Sequence, residues 1–192
     1  YGDIPYKIQA SSNSSAGITY TSSDSSVATI AGDMVTIIGA GSSTITASQD
    51  ALNNFASATT TSVMQVSQIT TVLTNFVVPA KIIGDAPFTV TPPTTNSDGL
   101  ITYTSSDTSV ATIVGSRVTI RGPGTTTITA VQATTGIYTS ASITAPFQVN
   151  LITTVLSNFV IPAKSFGDIP FKVQASSNSG APITYTSSDL SV

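Results

Sequence analysis

Apolar and polar residues alternate along most of this chain with a period of two. In ITYTS at 101–105, Ile101, Tyr103 and Ser105 share one face and Thr102 and Thr104 the other. In RVTIR at 117–121, Val118 and Ile120 oppose Arg117, Thr119 and Arg121. TTTITAV and SASITAPFQV read the same way. A period of two marks half-buried strands, and no stretch carries convincing helical spacing. Turn formers separate the runs: Gly84–Asp85, Pro92–Pro93, Asp98–Gly99, Gly115–Ser116 and Gly122-Pro123-Gly124. Gly115–Ser116, between VATIV and RVTI, predicts a two-residue hairpin, because Gly accepts positive φ at little cost.

The pattern recurs. ITYTSSD stands at 18–24, 101–107 and 183–189. Residues 1–27 and 166–192 agree at 21 of 27 positions, and most of the differences swap like for like, such as Tyr6 for Phe171. VATIAGDMVTIIGAGSSTITASQ from Val27 returns as VATIVGSRVTIRGPGTTTITAVQ from Val110. ITTVLTNFVVPAK from Ile69 returns as ITTVLSNFVIPAK from Ile152. One unit is about 83 residues long. It holds about seven short strands, the mark of a sandwich of two sheets packed on their apolar faces. Positions of the Phe88 and Tyr103 type are expected to supply its large core side chains. The expected divisions are 1–68, without the opening ITTVL segment; 69–151, complete; and 152–192, the first half of a unit only. The chain reads as a window on a longer array. A second account has a neighbouring chain complete the partial units by strand donation.

Composition narrows the function classes. Charged residues make up 8% of the chain, against roughly 25% in an ordinary soluble domain. Yet 40% is hydrophobic, with much Val, Ile and Thr, which argues for packed strands rather than disorder. A net charge of −3 with six scattered bases offers no nucleic-acid footprint. No apolar run is long enough to span a bilayer. Cys, His and Trp are all absent, which removes thiolate chemistry, the common metal ligands and the usual general base near neutral pH.

ITYTSSDTSVATIVGSRVTIRGPGTTTITA resembles the bacterial Ig-like group 2 module (BIG2-like), with its Ser-Ser, Val-Ala-Thr, hairpin, Gly-x-Gly and Thr-rich strand in order. AKIIGDAPFTV and AKSFGDIPFKV resemble the Gly-Asp opening of related Ig-like repeats in very large surface proteins, and similar repeats occur in giant-virus proteins. Tyr20, Tyr103 and Tyr185 take the place of that module's tryptophan. Such a Tyr keeps an aromatic core plug, but its hydroxyl needs a partner or water. The resemblance implies an all-β fold of tandem immunoglobulin-like β-sandwich repeats. It also implies a spacer or adhesive role at an extracellular, cell-surface or virion location, and carries no catalytic residue.

Candidate chemistry is sparse. Serines lack a base partner, and the Asp residues fall in turns such as Gly2-Asp3, Gly84-Asp85, Gly167-Asp168 and the TSSD motifs, where Asp is a turn former. No spacing resembles a calcium loop. No catalytic residue, cofactor or metal ligand is expected. Asn75 with Lys81 and Asn158 with Lys164 are candidate partners for an isopeptide staple, but lie too near in sequence to join two sheets. Asn13-Ser14-Ser15 is an N-glycosylation sequon. Few Lys residues guard the sheet edges, which suits lateral packing of chains or cover by glycans.

Two functional readings follow. One is a non-enzymatic structural or adhesive repeat of a large exposed fibre, stalk, virion or cell-surface protein. Its partners would be neighbouring repeats of the same or identical chains. The other is an accessory module that binds carbohydrate or a receptor. For the latter, Arg117 and Arg121 are the candidate contacts, since Met34 and Ile38 stand at the same places in the preceding copy.

Overall fold

The computed structural model describes residues 3–191. Tyr1, Gly2 and Val192 lie outside the described residues, and with them the Gly2 half of the expected Gly2-Asp3 turn and the outermost positions of 1–68 and 152–192. The described chain is all-β, with seventeen strands and no helix.

Residues 6–66 carry β1 (Tyr6–Lys7), β2 (Ile18–Ser22), β3 (Ala28–Ala31), β4 (Met34–Ile37), β5 (Gly41–Gln49) and β6 (Ala58–Val66). They form two three-stranded sheets, ordered β1-β4-β3 and β2-β5-β6. Residues 73–150 carry β7 (Leu73–Thr74), β8 (Lys81–Ile82), β9 (Phe88–Thr89), β10 (Thr94–Thr95), β11 (Ile101–Ser105), β12 (Ala111–Val114), β13 (Arg117–Ile120), β14 (Gly124–Gln132) and β15 (Ala141–Asn150). One sheet runs β12-β13-β9, the facing one β11-β14-β15-β8, and β10 and β7 make a separate ribbon. That is nine strands rather than about seven, because the opening and linking segments add two-residue pairings. Among the described strands only β8 runs parallel to its neighbour, with Lys81 opposite Val149 and Ile82 opposite Asn150, and Ile69 makes an isolated parallel bridge to Tyr138.

The alternation decides which side chains meet. Along β15, Ala145, Phe147 and Val149 are buried while Thr144, Pro146 and Gln148 face out. Thr126, Ile128, Ala130 and Gln132 are the buried set of β14. Against them the other sheet turns Ala111 and Val118, both without exposed surface. Phe88 tilts onto Phe147 at 5.5 Å between ring centroids, joining the sheets. Phe147 is the largest fully buried side chain, and burial of one such ring stabilises by up to about 3 kcal/mol. The expected hairpin is present: β12 and β13 flank Gly115, whose φ is 57°.

The first sandwich has the same plan and a thinner core. Val35 and Ala28 are buried as Val118 and Ala111 are. Thr60, Ser62 and Met64 stand in β6 where Ile143, Ala145 and Phe147 stand in β15, so its inner face is more polar.

Among the described residues beyond Asn150, only β16 (Leu156–Ser157) and β17 (Ser176–Ser177) pair. Here one expectation fails. ITYTS forms β2 and β11 in the first two copies, but Ile183–Ser187 is not a strand in the third. β2 and β11 are each held by a nine-residue partner, β5 and β14, and no counterpart of those strands lies among the described residues after 150. Alternating sequence alone does not hold a strand without a ladder partner.

Candidate functional site

The thrice-written TSSD forms a structural corner. Asp107 Oδ1 accepts the backbone N–H of Ser109 at 2.8 Å and its hydroxyl at 2.6 Å. Asp24 and Asp189 repeat the pair with Ser26 and Ser191. In all three the serine hydroxyl first, then its N–H, holds the carboxyl below its ordinary range. The Ser105 and Ser106 hydroxyls and the Asp107 N–H converge on the buried Thr126 Oγ1, at 2.8, 3.2 and 2.9 Å. Ser43 plays that part in the first sandwich. These serines and aspartates are engaged in fixing a turn.

The tyrosines diverge. Tyr20 Oη accepts the Ala10 N–H at 2.8 Å and Tyr185 Oη that of Ala175 at 3.0 Å. Pro93, which has no N–H, stands at the equivalent place before Tyr103. Tyr103 packs on Phe76 at 6.0 Å, as Tyr185 does on Phe159 at 5.8 Å, and burial raises the Tyr103 hydroxyl pKa.

A second set of side chains ties down the opening segment of each unit. Asn96 Oδ1 accepts the Val72 N–H at 2.9 Å, while its Nδ2 donates to Thr70 O at 3.1 Å. Asn178 makes the same clamp on Val155 and Thr153. Behind it, buried Gln132 donates Nε2 to Ser97 O and Gly99 O at 2.9 and 2.8 Å and accepts from Thr95 Oγ1. The reading of the sequence missed these amides. Their signal was in the repeat, since Asn13, Asn96 and Asn178 recur in register, as do Gln49 and Gln132.

The staple pairs are otherwise engaged. Lys81 and Lys164 ammonium groups lie over the rings of Phe88 and Phe171, each at 5.2 Å from the centroid. Asn75 and Asn158 take positive φ, 59° and 57°, and point Nδ2 at Thr94 and Ser176 hydroxyls.

Arg117 and Arg121 lie four positions apart on one face of the β13 line, both exposed. Arg121 Nε donates to Thr112 Oγ1 at 3.3 Å on the neighbouring strand. Val114, beside Arg117 in the ladder, is exposed as well. The two guanidinium groups therefore belong to the outer face of the smaller sheet. Asn13 is exposed. Among the described residues no three Asp, Glu, His or Cys side chains come together to hold a metal ion.

Two concavities border aromatic side chains. One of about 440 Å³ lies in the first sandwich between Tyr6, Ile8, Tyr20, Ala47 and Met64. The other, of about 910 Å³, lies after residue 150 between Phe159, Ile161, Phe171, Val173 and Tyr185.

With this geometry in place, the family described as the intimin immunoglobulin-like domain matches residues 95–134, from β10 through β14. That match supports a bacterial Ig-like domain for this stretch and does not single out group 2. No curated protein matches the chain. Among solved structures, domains 4–9 of the surface layer protein SbsC are similar at 21% identity and a TM-score of 0.32, covering 90% of this chain and 30% of that one. Drosophila N-cadherin EC1-3 is similar at 12% identity and 0.32, over 73% of this chain and 57% of that one. Human protocadherin-24 EC1-2 gives 12% and 0.31, over 77% and 88%. No helix of the described residues is long and apolar enough to cross a membrane.

Proposed function

We propose that this chain is a non-enzymatic segment of tandem Ig-like repeats in a surface-exposed structural or adhesive protein, a fibre, stalk, or cell-surface or virion component. Its units are 1–68, 69–151 and 152–192. The observation that carries the reading is the repetition of one architectural hydrogen-bond set. The Asp–Ser corner occurs three times and the Asn clamp twice, so the polar side chains that recur are spent on holding strands. The intimin Ig-like match supports a module of the adhesion type. Gln68, at the end of the first unit, donates to Thr135 O at 2.9 Å in the second, which supports successive repeats as each other's first partners. Immunogold labelling of intact source cells or particles with antibody to this chain tests it. Surface label is the expected result; label only in lysed material overturns it.

Arg117 and Arg121 favour a second reading, an accessory module that binds an acidic cell-surface carbohydrate or receptor. Two exposed guanidinium groups on one sheet face suit a planar anion. Glycan-array binding that disappears in the Arg117→Ala, Arg121→Ala double variant supports this reading; absence of binding by the parent chain removes it.

A further inference from the structure

The smaller sheet of the second sandwich carries charge that the chain does not balance. One row across its strands runs Val114–Arg117–Thr89, and the matching row of the first sandwich runs Ala31–Met34–Lys7. The two frames are equivalent: the Val90 N–H donates to Ser116 O at 2.9 Å, and the Ile8 N–H to Asp33 O at 2.9 Å. In the first sandwich the Lys7 ammonium pairs with Asp33 at 3.3 Å, so the two charges cancel. In the second, Thr89 and Ser116 stand in the places of Lys7 and Asp33, and arginines in those of Met34 and Ile38. Neither guanidinium has a carboxylate partner among the described residues. Two unpaired cations therefore share one sheet face of a chain whose net charge is −3.

We propose that this face binds a linear acidic polysaccharide at two points, Arg117 and Arg121 each holding a different anionic group of one polymer chain. The inference rests on the second reading above and specifies its ligand. The arginines stand about 13 Å apart along the strand, at ~3.3 Å per residue, with Thr119 between them. They thus suit successive charges of an extended polymer better than a single ion. Arg121 is turned across the ladder, where its Nε donates to Thr112 Oγ1 at 3.3 Å, and its two terminal nitrogens remain for a ligand. β13 is the middle strand, between β12 and β9, so the arginine line is no sheet edge to which an acidic peptide adds as a strand. Besides charge, the face offers the Thr112 and Thr119 hydroxyls and the exposed Val114 side chain, which suit the hydroxyls and C–H faces of sugar rings. Duplex nucleic acid, with one charge per ~1.7 Å, demands a denser basic surface.

Calorimetric titration of the full chain tests this, with hyaluronate hexasaccharide as the carboxylate probe, dextran sulfate as the sulfate probe and neutral dextran as the control. At least one charged probe is expected to bind, and neutral dextran is not. The logarithm of the binding constant should fall against that of salt concentration with a slope of roughly −1.5 to −2, about half of which is lost in either single variant, Arg117→Ala or Arg121→Ala. Each of these surface changes should weaken binding about ten-fold. Ser116→Asp, which puts back the acid of the first sandwich, should weaken it as Arg117→Ala does. Affinity that depends on one arginine alone, with the slope unchanged when the other is removed, overturns the two-point contact and leaves the carbohydrate reading standing. No binding of either charged probe, equal binding of neutral dextran, or tighter binding of poly-aspartate than of both polysaccharides overturns the proposal.

Discussion

The carboxylate of Asp107 and the serine two residues on, Ser109, close a small ring: one oxygen accepts both the backbone N–H and the hydroxyl of that serine. The ionised form is the one these donors favour, so the folded pKa lies below the ordinary value of 3.8. Such a group contributes stability above the unfolded value and loses it as pH falls through the folded one. Stability should thus decline below about pH 4, in part through Asp24, Asp107 and Asp189. Asp107→Asn should flatten that decline in acid unfolding followed by circular dichroism. An unchanged slope would remove the corner from the acid response.

Gln132 is fully buried and satisfies two carbonyls and one hydroxyl. Gln132→Ala leaves Ser97 O and Gly99 O without their donor and should cost about 3 kcal/mol in urea unfolding. Gln49, its half-buried counterpart, should cost about 1 kcal/mol on the same change, because water reaches the freed groups.

Phe147 and Met64 occupy the same strand position in the two sandwiches. Phe147→Ala removes the ring that meets Phe88 and should cost about 3–5 kcal/mol. Met64 borders an open groove, so Met64→Ala should cost about 1 kcal/mol. Equal losses would mean that the first core is closed in solution.

At Gly122 a Cβ would sit 2.9 Å from the Ser109 carbonyl oxygen, and at Gly39 2.6 Å from that of Ser26. Ala at either place forces backbone apart and should destabilise by about 1–3 kcal/mol. Gly136 faces open space, with no positive φ required, and its Ala variant should be neutral or gain up to about 1 kcal/mol. Thermal unfolding of the three variants checks the contrast.

The strands, the Gly115 hairpin and the unit length were legible because each is written locally, as a period of two, a turn pair and a repeated heptad. Tyr103 was legible by position as a side chain packed on the core, whereas Tyr185 is 43% exposed and plugs none, and the hydroxyl partners of Tyr20 and Tyr185 were not legible. Ala10 and Ala175 donate through a backbone N–H that no side-chain pattern reports, and only Pro93 betrays its loss. The Asn and Gln clamps act across 23 to 37 positions, beyond any window in which periodicity is read. Repetition of the same amide in register was the clue available. The third ITYTS shows the opposite limit: identical letters, without the strand that would pair with them, stay irregular.

The parallel pairing of β8 with β15 also governs how the second sandwich responds to tension. Lys81 and Ile82 lie near the unit's start, Val149 and Asn150 at its end, and the Ile83 N–H adds a bond to Asn150 O. Traction on the two ends drags these parallel strands past each other along their length. Their hydrogen bonds are then loaded together, whereas antiparallel neighbours such as β12 and β13 would open one bond at a time if pulled apart at their free ends. The short strand that looks least important to the sandwich is thus its mechanical latch.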